Sequence, residues 1–266
     1  MPSAISLVTL LTDFGERDYF VPSIKGVMLG INPQLRIVDL SHQISPQDIK
    51  QAAFILKSCY RYFPDGTVHV VVVDPGVGSQ RRPLLVSTSR YFFIAPDNGI
   101  LSEILQEEVS VEVRAIENKQ YRLDAEGATF DGRDLFAPAA AWLTKGQVPG
   151  SYGRLIRDAV RLPKDEPKMD GEKLRGTIVY IDHFGNLISN ITTNDLQTFR
   201  SVTKRDIQTI RLGELLINGM KTHYAEGALG IPEALINSNG QLEIFIKQGS
   251  AVERCAGKIG QPIEVQ

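Results

Sequence analysis

The chain has 266 residues, 42% of them hydrophobic, with 29 basic against 31 acidic side chains and a formal net charge of −2. That is enough apolar material for a large core in one or two domains, and the near-neutral balance supplies no field to attract nucleic acid or an anionic membrane surface. Two cysteines argue against a disulfide framework, no run reaches the ~18 apolar residues of a membrane span, and the N-terminal MPSAISLVTLLTDFG lacks the basic start and cleavage site of an export signal, so a cytoplasmic location is expected.

Over residues 6–142 short β-branched runs alternate with helical segments. Strands are predicted at 6–12, 36–40, 67–74, 84–87 and 91–95, several of them too apolar throughout to keep a wet face. Helices are predicted at 19–31, 48–63 and 133–144. In the second, Ile49, Ala52, Ala53, Leu56, Cys59 and Tyr60 recur at helical spacing and form one apolar stripe. Such alternation predicts a mainly parallel α/β domain, drawn over residues 1–160. Residues 161–173, RLPKDEPKMDGEK, are charged, hold two prolines and a glycine, and show no apolar period, so they read as a linker. Predicted strands at 176–182, 187–191, 209–212, 215–217 and 242–246, split by turn pairs such as Asn218-Gly219 and Asn239-Gly240, make residues 174–266 a smaller β-rich domain.

Four polar clusters follow apolar runs, and in parallel α/β sheets ligands bind at the C-terminal strand edge. In Thr12-Asp13-Phe14-Gly15, with Asp18 five residues past Asp13, a carboxylate leaving a buried strand can accept from a ribose diol or can cap a helix. In Asp74-Pro75-Gly76-Val77-Gly78-Ser79-Gln80-Arg81, a tight loop carries a carboxylate and a guanidinium, either as chemistry or as a structural clamp. The phosphate-loop pattern is missing there. Asp97 and Asn98 are turn and capping types, whereas Asp131 and Asp134 flank Arg133 and either cap the helix that follows or face a pocket. In Asp182-His183-Phe184-Gly185-Asn186, an amide can read an adenine edge and a ring can stack on it. The four histidines, His42, His69, His183 and His223, have no zinc-ligand spacing, His69 reads as a core residue, and no Gly-x-Ser-x-Gly elbow is present.

Together TDFG, VHVVVVDPGVGSQRR, APDNG, TFDGRDLFAP, IDHFGN and GSAVERCAG resemble, in order and over nearly the whole chain, the adenosine-forming S-adenosyl-L-methionine (SAM) hydrolases. These are also called hydroxide adenosyltransferases and are related to the fluorinase and chlorinase. The resemblance implies an N-terminal α/β domain followed by a C-terminal β-barrel, and a homotrimer with sites between subunits. It implies SAM as substrate rather than cofactor, with no metal. It also implies that Asp13 binds the ribose hydroxyls and that Asp18 and Asp182 hold the methionine ammonium. Phe184, Asn186 and the stretch from Arg254 to Ala256 would contact adenine. The family's water-activating set is an Asp, an Arg and a His. Asp74 and Arg81 match the first two, and the third position is Asp131.

The expected chemistry is attack of water on the 5′-carbon, with neutral methionine leaving from the sulfonium. Two rivals carry over. One is a halogenase, disfavoured because Asp74 and Asp131 would repel a halide and because Gly132 lacks the hydroxyl that the fluorinase offers near this position. The other is a sensor that binds SAM or adenosine without turnover.

Overall fold

The runs without a wet face become the centre of a six-stranded sheet. β1 (Leu7–Thr12) and β3 (Val68–Val72) are buried along their whole length, as inner parallel strands covered on both faces must be. The computed structural model describes residues 6–266, so residues 1–5, the start of the stretch read above for an export signal, lie outside the described residues. The chain divides into one unit ending at Leu162 and another running from Pro163 to Gln266.

In the first unit β1 is followed by α1 (Phe20–Ile31), β2 (Arg36–Ser41), α2 (Ile49–Cys59), β3, β4 (Pro83–Ser87), β5 (Phe92–Pro96), the short α3 (Ile104–Glu107), β6 (Glu112–Ala115) and α4 (Ala137–Thr144). The strand order is β2-β1-β3-β5-β4-β6, parallel from β2 to β5 and antiparallel at β4 and β6. Alternate residues of each strand serve opposite layers. Val8, Leu10, Val68, Val70 and Val72 pack with Ile24 and Met28 of α1 and the alanines of α4. Leu11, Val71 and Val73 pack with Ala52, Ala53 and Leu56 of α2. Asp48 caps α2 by accepting from Gln51 N at 2.9 Å, a contact worth about 1 kcal/mol.

Two helices differ from their sequence reading. The segment predicted as 48–63 ends as a helix at Cys59 and tightens into a 3₁₀ turn over Tyr60–Tyr62, with Pro64 two residues beyond. There the buried Tyr60 ring is held by its hydroxyl donating to Glu108 at 2.8 Å. The helix predicted at 133–144 opens with one π-helical turn, Gly132–Phe136. Pro138 has no N–H to donate to the Asp134 carbonyl four residues back, and that carbonyl accepts from Leu123 N at 2.8 Å instead.

The second unit contains β7 (Lys168–Asp170), β8 (Lys173–Ile181), β9 (Leu187–Thr192), α5 (Thr193–Thr203), β10 (Thr209–Leu212), β11 (Leu215–Asn218), β12 (Pro232–Ile236), β13 (Gln241–Ile246), α6 (Ala251–Cys255) and β14 (Pro262–Val265). Its antiparallel sheet runs β11-β10-β14-β8-β9-β13-β12, and the two end strands approach one another, giving a nearly closed, barrel-like sheet. β7 falls within the stretch read as linker. There Asp170-Gly171 turns the chain back onto β8, with Gly171 at φ 59°.

Candidate active site

Because β2, β1, β3 and β5 run in one direction, their C-terminal ends share an edge, and the loops carrying Asp13, Asp74 and Asp97 leave from it. Asp13 does not cap a helix. Its Oδ2 accepts from Gln47 N at 2.8 Å, and α1 begins only at Phe20 with Tyr19 at its cap. The loop is fixed at its base. Gly15 at φ 65° turns its N–H onto the His42 carbonyl at 2.8 Å, and the Thr12 hydroxyl meets His42 Nδ1 at 2.8 Å. Asp18 is exposed just before α1.

Asp74, Arg81 and Asp131 come together. Arg81 Nε donates to Asp74 Oδ1 at 3.0 Å, and Arg81 Nη2 donates both to Asp74 Oδ2 and, at 2.6 Å, to Asp131 Oδ2. The three side chains are nearly buried, at 6%, 11% and 8% exposure. Burial alone would make the guanidinium less basic. The hydrogen bonds to Asp74 and then Asp131 outweigh it and raise the Arg81 pKa, so the group stays cationic. Asp131 adjoins the π-helical turn, but its carboxylate makes no capping bond. Its second oxygen, Oδ1, accepts from Arg122 Nη2 at 2.9 Å. The helix-cap alternative for Asp131 therefore gives way to the pocket-facing one. Arg81, Arg122 and Asp131 line a cleft of about 780 Å³ together with Ser79, Asn118 and Leu135. Arg122, which no motif singles out, is the member that sequence reasoning missed.

Behind Asp131 the backbone is pressed between rings. Phe14 and Phe130 meet edge to face at 5.9 Å, and a Cβ on Gly132 would lie 3.2 Å from the Phe130 ring and 3.3 Å from the Phe14 ring. Glycine lets the Asp131 backbone sit this close to the Asp13 loop without the rings shifting by the few tenths of an ångström a side chain would require.

The remaining candidates of this unit are structural. Asp97 accepts from Arg82 Nε at 2.7 Å and Val160 N at 2.8 Å, Asn98 donates to the Val73 carbonyl at 2.9 Å, and the buried Asp134 pairs with Arg133 at 2.6 Å. His69 sits in the core with Nδ1 2.7 Å from the Thr9 hydroxyl, and burial pushes its pKa down to about 3. Burial also pushes the Cys59 thiol up to about 11, which makes it a poor nucleophile. Among the described residues no group of three His, Cys, Asp or Glu is arranged to hold a metal, and no helix is long and apolar enough to cross a membrane.

In the second unit Asp182 organises its own loop. Oδ1 accepts from Phe184 N at 2.9 Å and Asn186 N at 2.8 Å, and Oδ2 accepts from Asn186 Nδ2 at 3.0 Å. This leaves Phe184 74% exposed and the Asn186 side chain buried. Val252 N donates to the Gly185 carbonyl at 2.8 Å, which joins the loop to α6. Exposed Arg254 lies on that helix, and exposed Ala256 ends it in the left-handed region at φ 47°. Phe184, Arg254 and Ala256 thus border one joint between loop and helix.

Residues 8–153 match the SAM hydroxide adenosyltransferase N-terminal domain and residues 176–264 match the C-terminal domain of the same name. The chain belongs to this family. A SAM hydroxide adenosyltransferase homologue from Thermus thermophilus, named (R)-S-adenosyl-L-methionine hydrolase, is 32% identical over 97% of this chain and 98% of its own length. A fluorinase from an Actinoplanes species is 28% identical over 90% of each chain. A crystal structure titled as an uncharacterized conserved protein from Thermotoga maritima superposes with a TM-score of 0.89 at 31% identity, covering 97% of this chain and 99% of that one. The resemblance read from the motifs and the mixed α/β and barrel-like architecture both agree with these matches.

Proposed function

We propose that this protein hydrolyses SAM to adenosine and L-methionine by attack of water on the 5′-carbon. The observation that carries the reading is the buried Asp74–Arg81–Asp131 cluster at the C-terminal sheet edge, in a chain of this family. The water oxygen forms a bond to C5′ while the C5′–S bond breaks, its electron pair returning to sulfur so that methionine leaves neutral. The water gives up one proton. Asp74 is the acceptor for it, and Arg81 orients the water and stabilises developing hydroxide while holding both carboxylates apart. The carboxylates of Asp13, Asp18 and Asp182 favour the cationic substrate.

In this reading Asp13 binds the ribose diol and Asp18 and Asp182 the methionine ammonium. Phe184, Asn186, Arg254 and the backbone to Ala256 contact adenine. Asn186 does so through its backbone or by exchanging its bond to Asp182. The protein works as a cytoplasmic homotrimer with sites shared between neighbouring subunits, and needs no metal, cofactor or nucleic acid.

Incubation of purified protein with SAM, with and without chelator, followed by chromatography, tests this. Equal adenosine and methionine in both samples is the expected result. Halogen transfer, suggested by the fluorinase relatives, would give 5′-halo-5′-deoxyadenosine in high chloride. Intact SAM with binding in calorimetry would instead make the protein a sensor, for which the self-satisfied Asp74–Arg81 pair is the favouring observation.

A further inference from the structure

We infer that Arg122 is a positioning residue of the water-handling cluster, present because position 131 is an aspartate. The inference rests on the hydrolytic reading above. With an imidazole at that position, Asp74 and Arg81 would balance each other's charge. With Asp131, two carboxylates share one guanidinium at 6% and 8% exposure, and an unbalanced buried charge is strongly unfavourable. Arg122 restores the balance. Its Nη2 meets Asp131 Oδ1 at 2.9 Å, the oxygen that Arg81 does not contact, giving the alternating row Asp74, Arg81, Asp131, Arg122.

The position of Arg122 is built rather than incidental. Tyr121 before it is buried, stacked on Tyr152 at 4.1 Å, with its hydroxyl 2.7 Å from Ser151 Oγ. Leu123 after it donates to the Asp134 carbonyl that Pro138 leaves without a helical partner. The π-helical turn that carries Asp131 therefore also anchors the backbone that delivers its counter-cation. Arg122 itself is 45% exposed at the cleft wall. It acts on the reaction through Asp131, by balancing that carboxylate's charge and holding it aimed at Arg81.

A double-mutant cycle tests the dependence. Arg122→Met should lower kcat for adenosine release by about tenfold or more with KM changed less than about threefold, and Arg122→Lys should recover most of it, since one charged donor suffices. In an Asp131→His background the loss from Arg122→Met should shrink to less than about twofold. Equal losses in both backgrounds, or a loss confined to KM, would overturn the inference. If the unaltered protein binds SAM without converting it, the hydrolytic reading fails on its own. The same cycle is then read from thermal unfolding at pH 7, where Arg122→Met must lower the midpoint with Asp131 present and leave it within about 1 °C in the Asp131→His background.

Discussion

Arg81 Nη2 lies 2.6 Å from Asp131 Oδ2 and donates from the same nitrogen to Asp74, so one guanidinium edge serves two carboxylates. Asp74 and Asp131 are thus tied to each other through Arg81. Asp74→Asn is expected to reduce kcat by about 10²-fold or more while KM stays within about threefold, because a proton acceptor acts mainly in the transition state. Steady-state adenosine release measures both constants. Near-normal turnover would reduce Asp74 to a clamp for its loop.

Asp13→Ala should show the opposite split. Losing a charged acceptor for a sugar hydroxyl removes about 1.5–3 kcal/mol, or roughly 10–100-fold in affinity for SAM by calorimetry. Asp13 also receives the Gln47 N–H, and Gln47 sits at φ 67°, so part of the loss comes from a loosened neighbouring loop. Asp13→Asn retains an acceptor for that N–H and should spare fold stability while still weakening binding.

His69 makes stability pH-dependent. The folded protein keeps this buried imidazole neutral down to about pH 3, whereas the unfolded chain protonates it near its ordinary value of 6.5. Below that value the unfolded state binds more protons, so stability is complete above pH 6.5 and falls as pH drops toward 3. The expected loss from this residue is about 2 kcal/mol between pH 6.5 and 5. Urea unfolding across that range should show a shallower slope for His69→Gln. An unchanged slope would mean that other groups dominate the acid sensitivity.

Gly185→Ala should damage the loop that carries Phe184. The residue sits at φ 81°, and a Cβ there would fall 2.3 Å from Ser250 Oγ, the group that caps α6. A stability loss of about 1–3 kcal/mol is expected, with weaker SAM binding through a displaced Phe184. Thermal unfolding and calorimetry read the two effects separately, and full retention of both would show that the loop and helix can part without consequence.

The α/β unit was legible because its inner strands are unbroken apolar runs whose ends change abruptly to Asp, Gly and Pro. Asp74, Arg81 and Asp131 were visible for the same reason, as polar exceptions at strand and helix boundaries. Arg122 was not, since it reaches Asp131 through a carbonyl freed by a proline sixteen positions further along the chain. α5 escaped notice because only Leu196 and Phe199 of its residues are buried, too few for an apolar period. Its Thr192 and Asp195 capping box was the available sign. β12 and β14 begin with Pro232 and Pro262, which disguise a strand until its neighbours are known. The sequence shows that the Asn186 amide can read an adenine edge, but not that this amide closes the loop on Asp182, a competition between local and ligand bonds.

The edge-to-face contact of Phe14 with Phe130, closed over Gly132, links two loops that sequence separates by more than a hundred residues. One loop bears Asp13 and the other Asp131, so under the proposed function a ligand that steadies the first would press, ring against ring, on the second. Recognition at a distance then becomes leverage on the chemical step. A sulfonium compound stripped of its ribose diol should accordingly be a slow substrate even when saturating, because it leaves that lever untouched.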